Sequence, residues 1–319
     1  MPTISAIYLR LPNWIGDVCM SLPTLHTLRN TAIPVTVCAR PWARDLLAGF
    51  EGLDFVDMKG RWRVDRDAVG NHRKQARHLH ARGLLLPNSL SSAMVFKFAG
   101  IPSAGYRDGA RGLILRWPID KPAVPMHAVR RWHNVATQAL QRWNLPAHPA
   151  TPDLGPGLKP TRAQRDDAAA ALAAAGLTAH DFILIAPTAT GLHHGRIKVW
   201  PHFDTLTRAL QTQGYRVAMC PPPGEVADAR QNAPAALCLP PLGLGAFAAL
   251  TRLASLVVCN DSGVSHLAAA SGAKQLTLFG VTHKERTGPW SNSATCLGSA
   301  HAWPSPTEVE RMVDSLLQC

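Results

Sequence analysis

The sequence predicts an α/β protein of two Rossmann-like halves, each built on a mostly parallel sheet. Three observations carry that prediction. Short apolar runs alternate with helix-length amphipathic stretches, a cluster of prolines and glycines divides the chain near its middle, and the charge falls unevenly on the two sides. Of 319 residues, 46% are apolar and 17% charged, which is ample for a core and unlike a disordered chain. The length, about twice that of an ordinary domain, admits two.

In the N-terminal half, Ile4–Leu11 reads as a strand and Val18–Arg29 as a helix with Val18, Leu22, Leu25 and Leu28 on one side. Val35–Ala39 and Gly83–Leu86 are further strand candidates, and the basic stretch between them has no clear period. Pro146, Pro149, Pro152, Gly155, Pro156, Gly157 and Pro160 follow, a run that can hold neither helix nor ladder. The expected organisation is therefore a domain over 1–152, a linker over 153–160 and a second domain over 161–319 whose last helix packs back on the first. Thr161–Ala175 is an alanine-rich helix ended by Gly176. Phe182–Pro187, Tyr215–Cys220, Leu237–Leu239, Leu256–Asn260 and Gln275–Gly280 are strand-like. Between them come a helix with Pro201 in its first turn and Gly214 past its end, one from about Glu225, Leu244–Ala254, and Val264–Ser271 closed by Gly272. Such alternation implies βαβ units and parallel sheets covered on both faces.

Seven cysteines, odd in number and without a C-x-x-C pair, argue against a disulfide framework or zinc ribbon and for a reducing compartment. No apolar run reaches the roughly 18–20 residues that span a bilayer. The net charge of +12 calls for an anionic partner: nucleic acid, a membrane surface or a phosphorylated small molecule. Residues 1–150 hold 20 Lys/Arg against 9 Asp/Glu, a balance of +11, and residues 151–319 hold 13 against 12, a balance of +1. Lys59–Arg82 alone carries eight basic residues with Asp65 and Asp67.

Ligands of doubly wound sheets bind at the carboxyl ends of strands, so the residues that follow strands are the ones to question. Asn260-Asp261-Ser262-Gly263 runs from a buried strand into an alanine-rich helix that carries His266. Its free N–H groups form a site for an anion, or Asp261 or Ser262 simply caps the helix. Thr188-Ala189-Thr190-Gly191 and Lys198-Val199-Trp200-Pro201 again lie between strand and helix, with hydroxyls and a cation for a phosphate. Adjacent His193 and His194 are poorly placed to share one metal. Trp14-Ile15-Gly16-Asp17 puts a carboxylate where a helix begins, as helix-start charge or as a general base. Glu225, after Pro223-Gly224, could accept hydrogen bonds from a ribose diol. Gly243-Leu244-Gly245 is a weak dinucleotide match behind a proline-broken strand, and Asp65-Arg66-Asp67 reads as a solvated turn. His72, His78 and His80 sit among arginines, which disfavours a cation site.

Leu11-Pro12-Asn13-Trp14-Ile15-Gly16-Asp17 with Ser21-Leu22-Pro23, Leu86-Pro87-Asn88-Ser89, Phe98-Ala99-Gly100-Ile101-Pro102, Gly105-Tyr106-Arg107, Lys198-Val199-Trp200-Pro201, Pro223-Gly224-Glu225, Asp261-Ser262-Gly263-x-x-His266 and Leu278-Phe279-Gly280-x-Thr282 occur in this order. Together they resemble the ADP-heptose:lipopolysaccharide heptosyltransferases of glycosyltransferase family 9, the heptosyltransferase II branch above all. The resemblance implies a GT-B fold, two Rossmann-like domains facing a central cleft, with the acceptor on the N-terminal domain and the nucleotide sugar on the C-terminal one. It implies an inverting transfer of heptose to the inner core of lipopolysaccharide, with Asp17 as base. Thr188 or Thr190, Lys198, Glu225, Asp261, Ser262, Gly263, His266 and Thr282 would hold the donor. Asn13, Gly16, Arg61, Arg63, Asn88, Ser89, Arg107 and Arg111 would hold the acceptor. No cofactor is required, because the ADP-sugar is a substrate; magnesium is compatible, yet no metal motif demands it. The implied partners are ADP-heptose, an inner-core acceptor and the cytoplasmic face of the inner membrane, with no nucleic acid, and the implied protein is a cytoplasmic, peripherally membrane-associated monomer. His193-His194-Gly195 departs from the family's usual loop. A GT-B enzyme using another nucleotide sugar and a basic nucleic-acid-binding protein are the alternatives.

Overall fold

A computed structural model describes residues 3–147, 152–155, 157–193 and 195–318. Pro149 and Pro156 of the proline- and glycine-rich run, His194 and Cys319 lie outside the described residues. The chain forms two compact units, Met1–Arg44 with Phe50–Asp153 and Asp45–Gly49 with Leu154–Cys319.

The first unit is built on six parallel strands: β1 (Ile7–Arg10), β2 (Val35–Ala39), β3 (Leu53–Asp57), β4 (Arg82–Leu85), β5 (Ser103–Tyr106) and β6 (Trp117–Ile119), in the order β3-β2-β1-β4-β5-β6. The second adds β7 (Ile183–Ala186), a short antiparallel hairpin of β8 (Leu192–His193) and β9 (Arg196–Ile197), then β10 (Val217–Met219), β11 (Leu237–Cys238), β12 (Leu256–Asn260), β13 (Gln275–Phe279) and β14 (Ala294–Gly298). Its main sheet runs β11-β10-β7-β12-β13-β14, again all parallel. Both are the doubly wound order of dinucleotide-binding folds. In each, the order reverses beside the first strand, between β1 and β4 and between β7 and β12, and the loops leaving those strands border the crevice where such sheets take ligands.

The period-two alternation of strand side chains divides the second core into two. Ile183, Ile185, Val217, Met219, Val258 and Leu278 point to one face with Trp200, Phe203 and Leu206. Leu184, Ala186, Ala218, Val257 and Cys259 point to the other with Ala168, Leu172, Leu250 and Ala268. The last helix, Pro306–Gln318, expected on the N-terminal domain, instead buries Val309 and Val313 in the first of these clusters, because its apolar stripe completes the cover of its own sheet.

Other differences have local causes. The single helix expected over Val18–Arg29 is two, Ile15–Met20 and Leu22–Arg29. Pro23, lacking an N–H, is accepted in the first turn of the second but not inside one continuous helix. The unassigned basic stretch is β3 followed by the helix Trp62–Gln75, whose charges mask its period because only Asp65 and Val69 of it are buried. Asp65 is thus no solvated turn: it is 4% exposed, and it accepts the backbone N–H groups of Lys59 at 2.7 Å and Gly60 at 3.0 Å.

Candidate active site

In the second unit the donor-site candidates meet at the carboxyl ends of β7, β12 and β13. Ser262 caps the helix Gly263–Ser271, its hydroxyl accepting the Val264 N–H at 3.3 Å. That leaves Asp261 for other work. Its carboxylate accepts the Thr282 hydroxyl at 2.6 Å and lies 3.8 Å from His266 Nε2, and its carbonyl accepts from Lys198 Nζ at 3.2 Å. Asp261, His266 and Thr282 are buried and Lys198 is half-buried, so the ammonium is held at the mouth of the crevice.

Asn260, which the sequence did not single out as a site residue, joins the rest. Fully buried, it accepts the Trp200 N–H at 2.8 Å and donates to the carbonyls of Ala186 and Thr188, both at 3.3 Å. Thr188 in turn donates its hydroxyl to Glu225 Oε2. Thr190 is exposed and stands apart from this network among the described residues, so of the two threonines Thr188 is the one wired into the site. A polar side chain at the end of a fully apolar strand was the signal for Asn260.

In the first unit, Gly16 is buried and Asp17 lies half-buried in the first turn of the helix Ile15–Met20, in the loop after β1. Asn13 of that loop accepts from Arg10 Nη2 at 2.6 Å. After β4, Ser89 caps the helix Leu90–Phe98 by accepting the Ser92 N–H at 3.3 Å. Asn88 accepts from Arg111 Nη1 at 3.4 Å, which also donates to the Tyr106 carbonyl at 3.0 Å.

Arg111 does not belong with a surface patch: it is 1% exposed, and burial pulls its pKa down to about 10 against the opposing charge of Asp108. Its room comes from Gly105, where a Cβ would stand 2.6 Å from Nη2. Arg107 is exposed and paired with Asp120 at 3.2 Å. Arg61 and Arg63 are exposed at the start of the helix Trp62–Gln75, with the Arg63 guanidinium 5.3 Å over the Trp62 ring. Among the described residues no group of three or more His, Cys, Asp or Glu side chains could hold a metal.

Two doubly wound sheets of this order match the GT-B fold of glycosyltransferases. The chain belongs to glycosyltransferase family 9 (heptosyltransferase), whose profile matches residues 71–316. It is 30% identical to lipooligosaccharide heptosyltransferase 2 of Haemophilus influenzae, over 90% of this chain and 86% of that one. Among solved structures, ADP-heptose lps heptosyltransferase II of Escherichia coli superposes with a TM-score of 0.77 at 24% identity, covering 98% of each chain. A family 9 glycosyl transferase of Veillonella parvula superposes with a TM-score of 0.82 at 17% identity, over 98% of this chain and 97% of that one.

Proposed function

We propose that this glycosyltransferase moves heptose from ADP-heptose to an inner-core lipopolysaccharide acceptor by a single, inverting displacement. The observation that carries the reading is the linked set Lys198, Asp261, Asn260, Thr188 and Glu225 at the second sheet's switch point. It offers a cation, a helix start and a carboxylate where a nucleoside diphosphate needs them. Asp17 takes the proton of an acceptor hydroxyl, whose oxygen attacks the anomeric carbon as the bond to the diphosphate breaks. Lys198 and the N–H groups at Ser262–Gly263 stabilise the charge gathering on ADP, and fixed donors of this kind act most strongly where charge develops. Thr188 engages one oxygen of Glu225, which leaves the other for the ribose diol. His266 and Thr282 hold Asp261, and so keep the Lys198 ammonium aimed at the phosphates.

The relatives named heptosyltransferase 2 favour this donor and acceptor, and the basic balance of residues 1–150 suits an anionic acceptor. No helix among the described residues is long and apolar enough to cross a membrane. Peripheral attachment of a monomer to the cytoplasmic face of the inner membrane completes the proposal.

Asp17→Asn removes the base and keeps the shape. Its kcat should fall on the order of 10²–10⁴-fold, the usual contribution of a positioned base, while the Kd for ADP by calorimetry stays within about twofold because donor contacts are untouched. Turnover at the wild-type rate would overturn the assignment of Asp17.

A further inference from the structure

At the carboxyl end of β1, Arg10 is 6% exposed. Its guanidinium donates to the carbonyls of Leu11 and Cys38, the latter at 3.4 Å, and to Asn13 Oδ1 at 2.6 Å, all of them neutral acceptors. Among the described residues it forms no ion pair. A buried cation is normally paired, since taking a charge out of water is costly without a counter-charge.

What stands beside it is a second cation. Arg40 follows β2, and β1 and β2 are neighbours with Arg10 opposite Cys38. Burial lowers the Arg10 pKa, Cys38 and Asp65 oppose that, and the charge of Arg40 lowers it further, so the two guanidiniums lie within electrostatic reach of one another. Arg40 is half-buried and also without an ion pair among the described residues. Its head rests on Gly60: a Cβ there would meet Nη1 and Nη2 at 2.9 Å, and the backbone at φ +83° is one that glycine tolerates. One buried carboxylate, Asp65, stands against the two cations: its charge opposes the lowering of the Arg10 pKa, and its oxygens accept the N–H groups of Lys59 and Gly60. That same contact pins the loop on which Arg40 rests.

Two forked cations therefore lie at the carboxyl ends of adjacent strands against the single carboxylate of Asp65, which leaves an excess of one positive charge and no ion pair to either guanidinium among the described residues. We propose that Arg10 and Arg40 form an oxyanion subsite in the first unit that takes a phosphate or carboxylate group of the acceptor. The identity of the acceptor rests on the function proposed above; the subsite itself rests on the two arginines and Gly60. A guanidinium fork matches the paired oxygens of either anion. Arg40 supplies the accessible fork. Arg10 adds charge from behind, and through Asn13 it sets the loop that leads to Asp17.

Arg40→Gln is the test, with the exposed Arg208→Gln as a control for charge. On a water-soluble, deacylated inner-core acceptor carrying its phosphates and carboxylates, Arg40→Gln should raise the acceptor KM about tenfold, the size of one lost charge-assisted hydrogen bond. Its kcat, KM for ADP-heptose and unfolding midpoint should stay near wild type, and Arg208→Gln should match wild type throughout. Arg40→Lys, which keeps the charge without the fork, should fall between and provides a second folded variant. Loss of the difference on a dephosphorylated acceptor assigns the group as phosphate; loss on a carboxyl-reduced acceptor assigns it as carboxylate. An unchanged KM on the intact acceptor, or the same increase on all three, overturns the subsite. Inorganic phosphate, followed by the rise in unfolding temperature, separates this failure from failure of the functional reading. Even a chain inactive on the acceptor should show a phosphate-dependent rise that Arg40→Gln reduces and Arg208→Gln does not.

Discussion

A single amide, that of Asn260, ties the Lys198–Trp200 loop and the end of β7 to β12, reaching partners 60 to 74 residues away in the chain. Tyr8 plays a comparable part in the first unit, where its buried hydroxyl meets Nδ1 of His72 at 2.8 Å and of His78 at 3.0 Å. One hydroxyl has one proton to give, so one ring accepts it and the other donates its own N–H. Burial and the neighbouring His72 push the His78 pKa below the ordinary 6.5, with Asp54 opposing. The unfolded chain then binds the proton more readily, so stability present above pH 6.5 is lost as the pH falls below it. Burial acts on His133 in the same direction. Urea midpoints measured from about pH 7.5 down to about pH 5.5 should fall, and His78→Gln should make the decline shallower; parallel curves for the two proteins would refute the role of His78. Neither histidine's partner was legible beforehand, because Tyr8 lies 64 and 70 residues from them.

Among the elements, local signals served well where the determinant is itself local. The helix Arg162–Ala174 begins at Thr161, whose hydroxyl accepts the Gln164 N–H at 3.2 Å while the Gln164 side chain accepts the Thr161 N–H at 2.9 Å. This capping box satisfies two otherwise orphaned donors, and Gly176 at φ +65° lies just past the other end. Thr161→Ala should lower unfolding free energy by about 1 kcal/mol, read from urea unfolding followed by circular dichroism; a loss below about 0.3 kcal/mol would mean that water replaces the cap without penalty. Elements were missed where pattern and burial part company. The strand β3 exposes Asp54 and fully buries only Val56, and β14 is only half-buried along its length at the sheet edge, so neither carries the continuous apolar run that marks a central parallel strand.

Across the whole molecule, charge and apolar exposure coincide. Seven of the nine large apolar side chains exposed among the described residues, Phe98 and Trp14 included, lie in the basic first unit. There Phe98 sits 6.2 Å from Trp62, whose ring lies under the guanidiniums of Arg63 and Arg66. Basic side chains beside exposed aromatic ones suit an anionic lipid surface, each cation near it contributing about 1 kcal/mol. The protein should therefore sediment with vesicles of anionic phospholipid and less so as salt rises. The double change Arg63→Glu with Arg66→Glu should cut the bound fraction more than about tenfold; equal binding to neutral vesicles would sink the electrostatic account. The sequence by itself determined most of the apolar strands and amphipathic helices, several of the caps, which half is basic and which loops carry the family's motifs, because period, capping and composition act over a few residues. Only the tertiary structure decided that Asn260 would gather Thr188 and Trp200, that Arg111 and Asp65 would be buried, that the last helix would cover its own sheet, and that Arg10 and Arg40 would stand together. Those outcomes depend on strand order and on the parallel register of distant segments, which no local pattern encodes.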